Sequence, residues 1–142
     1  MLLIHPILQF SASLLALYVL LLGVARFRRL HLQHKVRFLW KRHVQLGTVV
    51  LLVWLFGMAL GLIMVRIYWH GSLITGGHGK RSFFLLPLIF FGLFSGYHMH
   101  KHKKNRVLLP LLHGASNLFL IILVFLHALS GWQVYDAFVL GN

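Results

Sequence analysis

The chain has no cysteine and one carboxylate side chain, Asp136, set against 14 lysines and arginines. Without thiols there are no disulfides, thiolate zinc sites, iron–sulfur clusters or C-x-x-C-H attachments of c-type haem. With a single acid, a paired-carboxylate hydrolase, a carboxylate proton relay and a carboxylate-based divalent-cation transporter are all disfavoured. A redox cofactor here has to be held by imidazole, and the sequence supplies 11 histidines.

Extended polar segments are also scarce. Hydrophobic residues make up 59% of the 142 positions and the mean hydropathy is +0.83, above the roughly 45–50% apolar content of soluble domains. Apolar blocks run over 5–25, 43–65, 82–97 and 107–129, and a helix needs about 20 residues to cross a ~30 Å hydrocarbon core. The third block reaches crossing length when extended to 78–98, with Lys80 and Arg81 snorkelling at the interface and Pro87 tolerated within the membrane. The reading is an all-α, four-helix transmembrane bundle forming one domain over 1–142, with helices over 5–25, 43–65, 78–98 and 107–131. No basic n-region or small-residue cleavage site precedes Arg26, so a secretory signal is not expected.

The basic residues orient the bundle. Seven lie between the first and second helices (Arg26, Arg28, Arg29, Lys35, Arg37, Lys41, Arg42), four between the third and fourth (Lys101, Lys103, Lys104, Arg106), and three between the second and third. The positive-inside rule then places the two basic loops in the cytoplasm and both termini outside. No aromatic stacking platform or nucleic-acid module accompanies these clusters, so the expected counter-charges are anionic membrane lipids or an acidic partner, and not nucleic acid.

Each block carries a histidine, at His5, His43, His78 and His113, and the residue 18 positions later is Gly23, Gly61, Gly96 and Gly131 in turn. Eighteen residues are five helical turns, which puts each glycine on its histidine's stripe at the far end of the helix. In an alternating bundle His5 and His78 fall at the outer face and His43 and His113 at the inner, two coaxial pairs about 20 Å apart along the normal. Small residues extend the stripes, with Gly57-x-x-x-Gly61 and Gly92-x-x-x-Gly96 among them. Gln9 and Asn117 lie beside the histidines as candidate partners for a propionate or a second imidazole nitrogen. Small-residue stripes also serve plain helix packing. Ionisable residues inside a membrane mark function by default, and two-by-two depth matching points to a pair of haems.

The segments His5-Pro6, Arg42-His43-Val44-Gln45-Leu46-Gly47, Gly77-His78-Gly79 and Leu112-His113-Gly114-Ala115-Ser116-Asn117, with Ser130-Gly131 downstream, together span nearly the whole chain. In these the chain resembles a small four-helix membrane family common in cyanobacteria, itself similar to the cytochrome b561 superfamily. In the eukaryotic-type members two b haems are held by histidines from alternate helices. That resemblance implies two haem b groups, one bound by His5 with His78 and one by His43 with His113, in an inner or thylakoid-type membrane. Bacterial-type members instead take two histidines from one helix, which makes His127, 14 residues after His113, the rival to His78 in pairing with His5.

Two axial imidazoles leave no open iron position, so the expected function is electron transfer across the membrane. Quinol, ascorbate, a ferric chelate or a redox protein would suit as partner, and Arg42 inside with Lys80 and Arg81 outside could pair with propionates. The alternative is a haem-free accessory subunit of a larger membrane complex. A third reading, metal transport through His98, His100 and His102, is weakened by the adjacent lysines, and a solvated cytoplasmic turn is the plainer account of that run.

Overall fold

The computed structural model describes residues 2–141. Four helices, α1 (Ile4–His31), α2 (Trp40–Trp69), α3 (Gly77–Lys101) and α4 (Leu108–Tyr135), are followed by a single π turn over Asp136–Leu140. Each helix is long and apolar enough to cross a membrane. The chain is an all-α, multi-pass membrane protein.

α1 outruns its apolar block through Arg26, Arg28 and Arg29, which are good helix formers. Arg28, Arg29 and His31 close α1, and His98, His100 and Lys101 close α3, where the negative end of the helix dipole favours cations. Lys41 and Arg42 open α2, where the helix dipole disfavours cations. α2 stops at His70, which takes a left-handed conformation (φ 52°). The turn into α3 closes on Gly76 at φ 57°, a backbone shape that costs least without a Cβ. Pro87 lies within α3, which continues unbroken through it.

α1 packs chiefly on α2 and α3 chiefly on α4, with lighter contact between α2 and α3 and between α1 and α4. α1 faces α3, and α2 faces α4, across the diagonals without backbone contact. A buried plug fills the middle of the bundle: Ala12 and Ala16 from α1, Val50, Leu51 and Trp54 from α2, Leu85 and Ile89 from α3, Leu120, Ile121 and Val124 from α4. The Trp54 indole N–H donates to Ser13 Oγ at 3.4 Å and the Ser13 hydroxyl to the carbonyl of Gln9 at 2.8 Å, so the polar atoms of the plug are partnered. Large apolar side chains such as Phe84 and Phe94, 73% and 68% exposed, form the outer surface and face lipid.

Candidate functional site

The bundle has a basic end, where α1 and α3 finish and α2 and α4 begin, and an opposite end. His43 and His113 meet at the basic end from the diagonal helices α2 and α4, their ring centroids 6.3 Å apart and their planes inclined by 70°. At the opposite end His78 of α3 stacks on His127 of α4, with centroids 4.0 Å apart and planes within 9°. His5 of α1 is within electrostatic reach of both. All five rings are half-buried.

The glycines face histidines, but not those of their own helices. A Cβ on Gly61 would lie 3.0 Å from His5 Cε1, and one on Gly23 would lie 3.3 Å from His43 Cε1. On the other hairpin, a Cβ on Gly131 would lie 3.0 Å from His78 Cε1 and one on Gly96 3.5 Å from His113 Cε1. In an antiparallel pair the end of one helix lies beside the start of its neighbour, so five turns along α2 lead from His43 to the glycine that serves His5. The small-x-x-x-small patterns work in the same way. Gly57 and Gly61 receive Gln9 and His5, and Gly92 and Gly96 receive Asn117 and His113.

The Nδ1 atoms of the four histidines are all engaged. His5 donates Nδ1–H to the carbonyl of Gly57 at 2.9 Å, and His43 donates to the carbonyl of Val19 at 3.2 Å. A carbonyl only accepts, so in these neutral rings the proton sits on Nδ1 and the lone pair on Nε2. His78 Nδ1 meets Ser130 Oγ at 3.1 Å and His113 Nδ1 meets Ser95 Oγ at 2.7 Å. Asn117 packs on the His113 ring, its Nδ2 3.4 Å from Nδ1 while donating to the carbonyl of His113 at 2.7 Å. Gln9 reaches a carbonyl, that of Val53, at 3.4 Å and no imidazole.

His127 differs from the other four. Its buried Nδ1 has no hydrogen-bond partner, and its carbonyl accepts from the Ser130 hydroxyl at 2.7 Å. It stands four residues before Gly131, the place taken by Val19, Gly57 and Gly92 before the other three glycines.

Around the opposite end, Arg81 borders two grooves. One, of about 220 Å³, is lined by His78, Ser130, Thr75 and Gln133 among others. The other, of about 290 Å³, runs past His127 between Phe84, Leu123 and Leu126. At the basic end Arg26 is the cation within electrostatic reach of both His43 and His113, a role that Arg42 fills in the sequence reading. His98 and His100 close α3 and His102 caps it, with the His98 and His102 rings 4.8 Å apart and His100 turned to Trp40. The run is therefore the end of a helix and not a turn. Alternate residues of a helix point about 200° apart, so the three rings cannot converge.

Ser130 stands in the Ser130-Gly131 segment of the sequence pattern, whereas Ser95 is not singled out there and Arg26 appears only among the basic residues between the first two helices. Ser95-Gly96 and Ser130-Gly131 are the same dipeptide 35 residues apart, and Arg26 lies on the helical stretch that prolongs the first apolar block. Among the described residues no group of three or more His, Cys, Asp or Glu side chains is arranged to hold a metal ion. Comparison with family models, with curated proteins and with solved structures finds no match for the chain.

Proposed function

We propose that this protein is a di-haem b-type cytochrome that passes electrons across the membrane, with His43 and His113 binding one haem and His5 and His78 the other. One observation carries the reading: at each end of the bundle, histidines from diagonal helices converge with Nδ1 hydrogen-bonded. At His5 and His43 the carbonyl partners leave Nε2 as a lone pair. The His43 and His113 ring centroids lie 6.3 Å apart, and these two imidazoles would hold the group at the basic end. At the opposite end His78 shares the environment of the other three histidines and His127 does not, which favours His78 as the partner of His5.

Bound haem, held by these imidazoles, would supply a one-electron redox couple. The chain's own residues do the rest. The carbonyls of Gly57 and Val19 hold the His5 and His43 rings in one tautomer and one orientation. Glycines beside each ring let the helices close on it. Leu120, Ile89 and the rest of the plug keep water out of the space between the two sites. Along α1 the 14 residues from His5 to Val19, the residue that anchors His43, measure about 21 Å. Arg26 at one end and Arg81 at the other are placed to offset carboxylates. The positive-inside rule puts the basic end in the cytoplasm of a cell with an inner or thylakoid-type membrane, both termini outside. Quinone or a redox protein is the class of partner that such a relay serves.

The test is direct. Protein purified in detergent from haem-replete cells should be red, show b-type reduced bands, and contain two haems per chain by pyridine haemochrome. His43→Ala or His113→Ala should each remove the same one, and His5→Ala or His78→Ala the other. A folded but colourless preparation would reject the proposal and leave the accessory-subunit reading in its place.

A further inference from the structure

The Nδ1 partners divide by hairpin. In the α1–α2 hairpin, backbone carbonyls of Gly57 and Val19 take the histidine protons. In the α3–α4 hairpin a serine hydroxyl faces each ring, Ser130 at His78 and Ser95 at His113, and at His78 the His127 carbonyl also interacts with the ring. Because each histidine pair is diagonal, each contains one ring faced by a serine, His113 or His78, and one that is not.

A hydroxyl, unlike a carbonyl, can face a ring nitrogen as donor or as acceptor, and only one choice leaves Nε2 able to bind a metal. Ser130 Oγ lies 2.7 Å from the carbonyl of His127, and Ser95 Oγ reaches the carbonyls of Phe91 and Gly92. Those carbonyls accept the single hydroxyl proton, as serines in helices commonly bond the preceding turn. The oxygen lone pairs then face Nδ1 and favour Nδ1–H: at His113 the 2.7 Å Ser95 contact outweighs the 3.4 Å approach of the Asn117 amide nitrogen, and at His78 the His127 carbonyl favours the same tautomer. Both serines are 5% exposed, so water does not substitute readily for either.

We infer that Ser95 and Ser130 are positioning residues, each fixing the Nδ1–H tautomer of one histidine, His113 and His78 respectively, and thereby the ligand strength of its Nε2. This rests on the haem reading for its consequence, but the tautomer itself does not depend on a bound group. Since the serines serve opposite ends, they tune the two centres independently. The His5 and His43 contacts go to backbone and cannot be altered in that way by exchanging the partner's side chain.

Two measurements on full-length protein in nanodiscs test it. Ring-nitrogen NMR of histidine-labelled, haem-free protein, with signals assigned by His113→Ala and His78→Ala, should show Nδ1–H at both residues. In Ser95→Ala the His113 signals should move toward a mixture with Nε2–H, in Ser130→Ala those of His78 should move the same way but less, because the His127 carbonyl still interacts with that ring, and Ser→Thr at either site should preserve the wild-type pattern. In loaded protein each alanine variant should weaken haem binding at its own end by roughly 10- to 100-fold, the usual effect of removing a ligand's hydrogen-bond partner. It should also raise that centre's potential, because a less basic ligand favours the oxidised iron less. A tenfold change in the oxidised-to-reduced ratio corresponds to about 59 mV for one electron. An unchanged tautomer in both alanine variants would overturn the inference, as would affinities and potentials that threonine fails to restore. A wild-type protein that takes up no haem would reject the cytochrome reading while the NMR still decides the role of the serines.

Discussion

The His5 ring lies over Gly61 so closely that a Cβ on that glycine would be 3.0 Å from Cε1. Gly131 stands in the same relation to His78, also at 3.0 Å, whereas Gly23 leaves 3.3 Å to His43 and Gly96 3.5 Å to His113. The contact tightens from the basic end to the opposite end, and alanine substitutions should follow it. A Gly→Ala change in a helix gains up to about 1 kcal/mol from propensity, while overpacking costs about 1–3 kcal/mol. Gly61→Ala and Gly131→Ala should therefore lower stability by about 1–2 kcal/mol and displace the ring, and on the di-haem proposal cost the haem at that end. Gly96→Ala, where the new methyl makes an ordinary contact, should be neutral or slightly stabilising and on the same proposal leave haem content unchanged. Thermal unfolding in detergent with haem counting checks the series, and equal effects at all four glycines would refute the ring-contact explanation.

His127 should be dispensable where His78 is not. Losing the stack on His78 costs about 0.5–1.5 kcal/mol for a ring pair. Removing a buried nitrogen that has no partner returns about 1–3 kcal/mol. His127→Ala should thus change stability by about 1 kcal/mol or less, and on the di-haem proposal it should retain two haems per chain while His78→Ala retains one. The opposite result in the pyridine-haemochrome assay would move the ligand to α4.

Four helices and the end-to-end sorting of the histidines are readable from block length and from one histidine per block, because a membrane crossing has a fixed length. The limits of the helices are not. Arg28, Arg29 and His31 continue α1 beyond its apolar block, and hydropathy is silent where a helix leaves the hydrocarbon. Spacing along one helix likewise places Gly61 on the stripe of His43 without saying that it faces His5, since the partner depends on how the hairpin folds back. The imidazole contacts of Ser95 and Ser130 were hidden for a different reason. A serine in a membrane helix ordinarily satisfies itself on its own preceding turn, and only the placement of the neighbouring helix brings an imidazole to the same oxygen.

The mid-bundle plug should dominate stability. Leu120 has 0% exposure and packs among residues from all four helices. In lipid the transfer gain of burying a leucine largely vanishes, but the lost contacts and the cavity remain. Leu120→Ala should then cost about 2–3 kcal/mol, toward the lower part of the range for buried leucines. Phe84→Ala, at a site 73% exposed, should stay within about 0.5 kcal/mol of the parent. Resistance to denaturing detergent, followed by helical circular dichroism, distinguishes the two, and a larger loss for Phe84→Ala would mean that this face is covered by another protein.

The lack of cysteine makes orientation directly measurable, because any introduced thiol is unique. Lys104 lies in the α3–α4 loop at the basic end and Ser72 in the α2–α3 loop at the other, both exposed. Each cytoplasmic Lys or Arg held near anionic headgroups contributes about 1 kcal/mol. With eleven basic residues flanking two loops and three flanking the third, the reverse orientation should be essentially unpopulated. A membrane-impermeant maleimide added to intact cells should label Ser72→Cys and leave Lys104→Cys untouched until the membrane is permeabilised. Labelling of Lys104→Cys in intact cells would invert the bundle, placing His43 and His113 at the outer face and His5 and His78 at the inner, and with them the end at which each electron-transfer partner has to be sought.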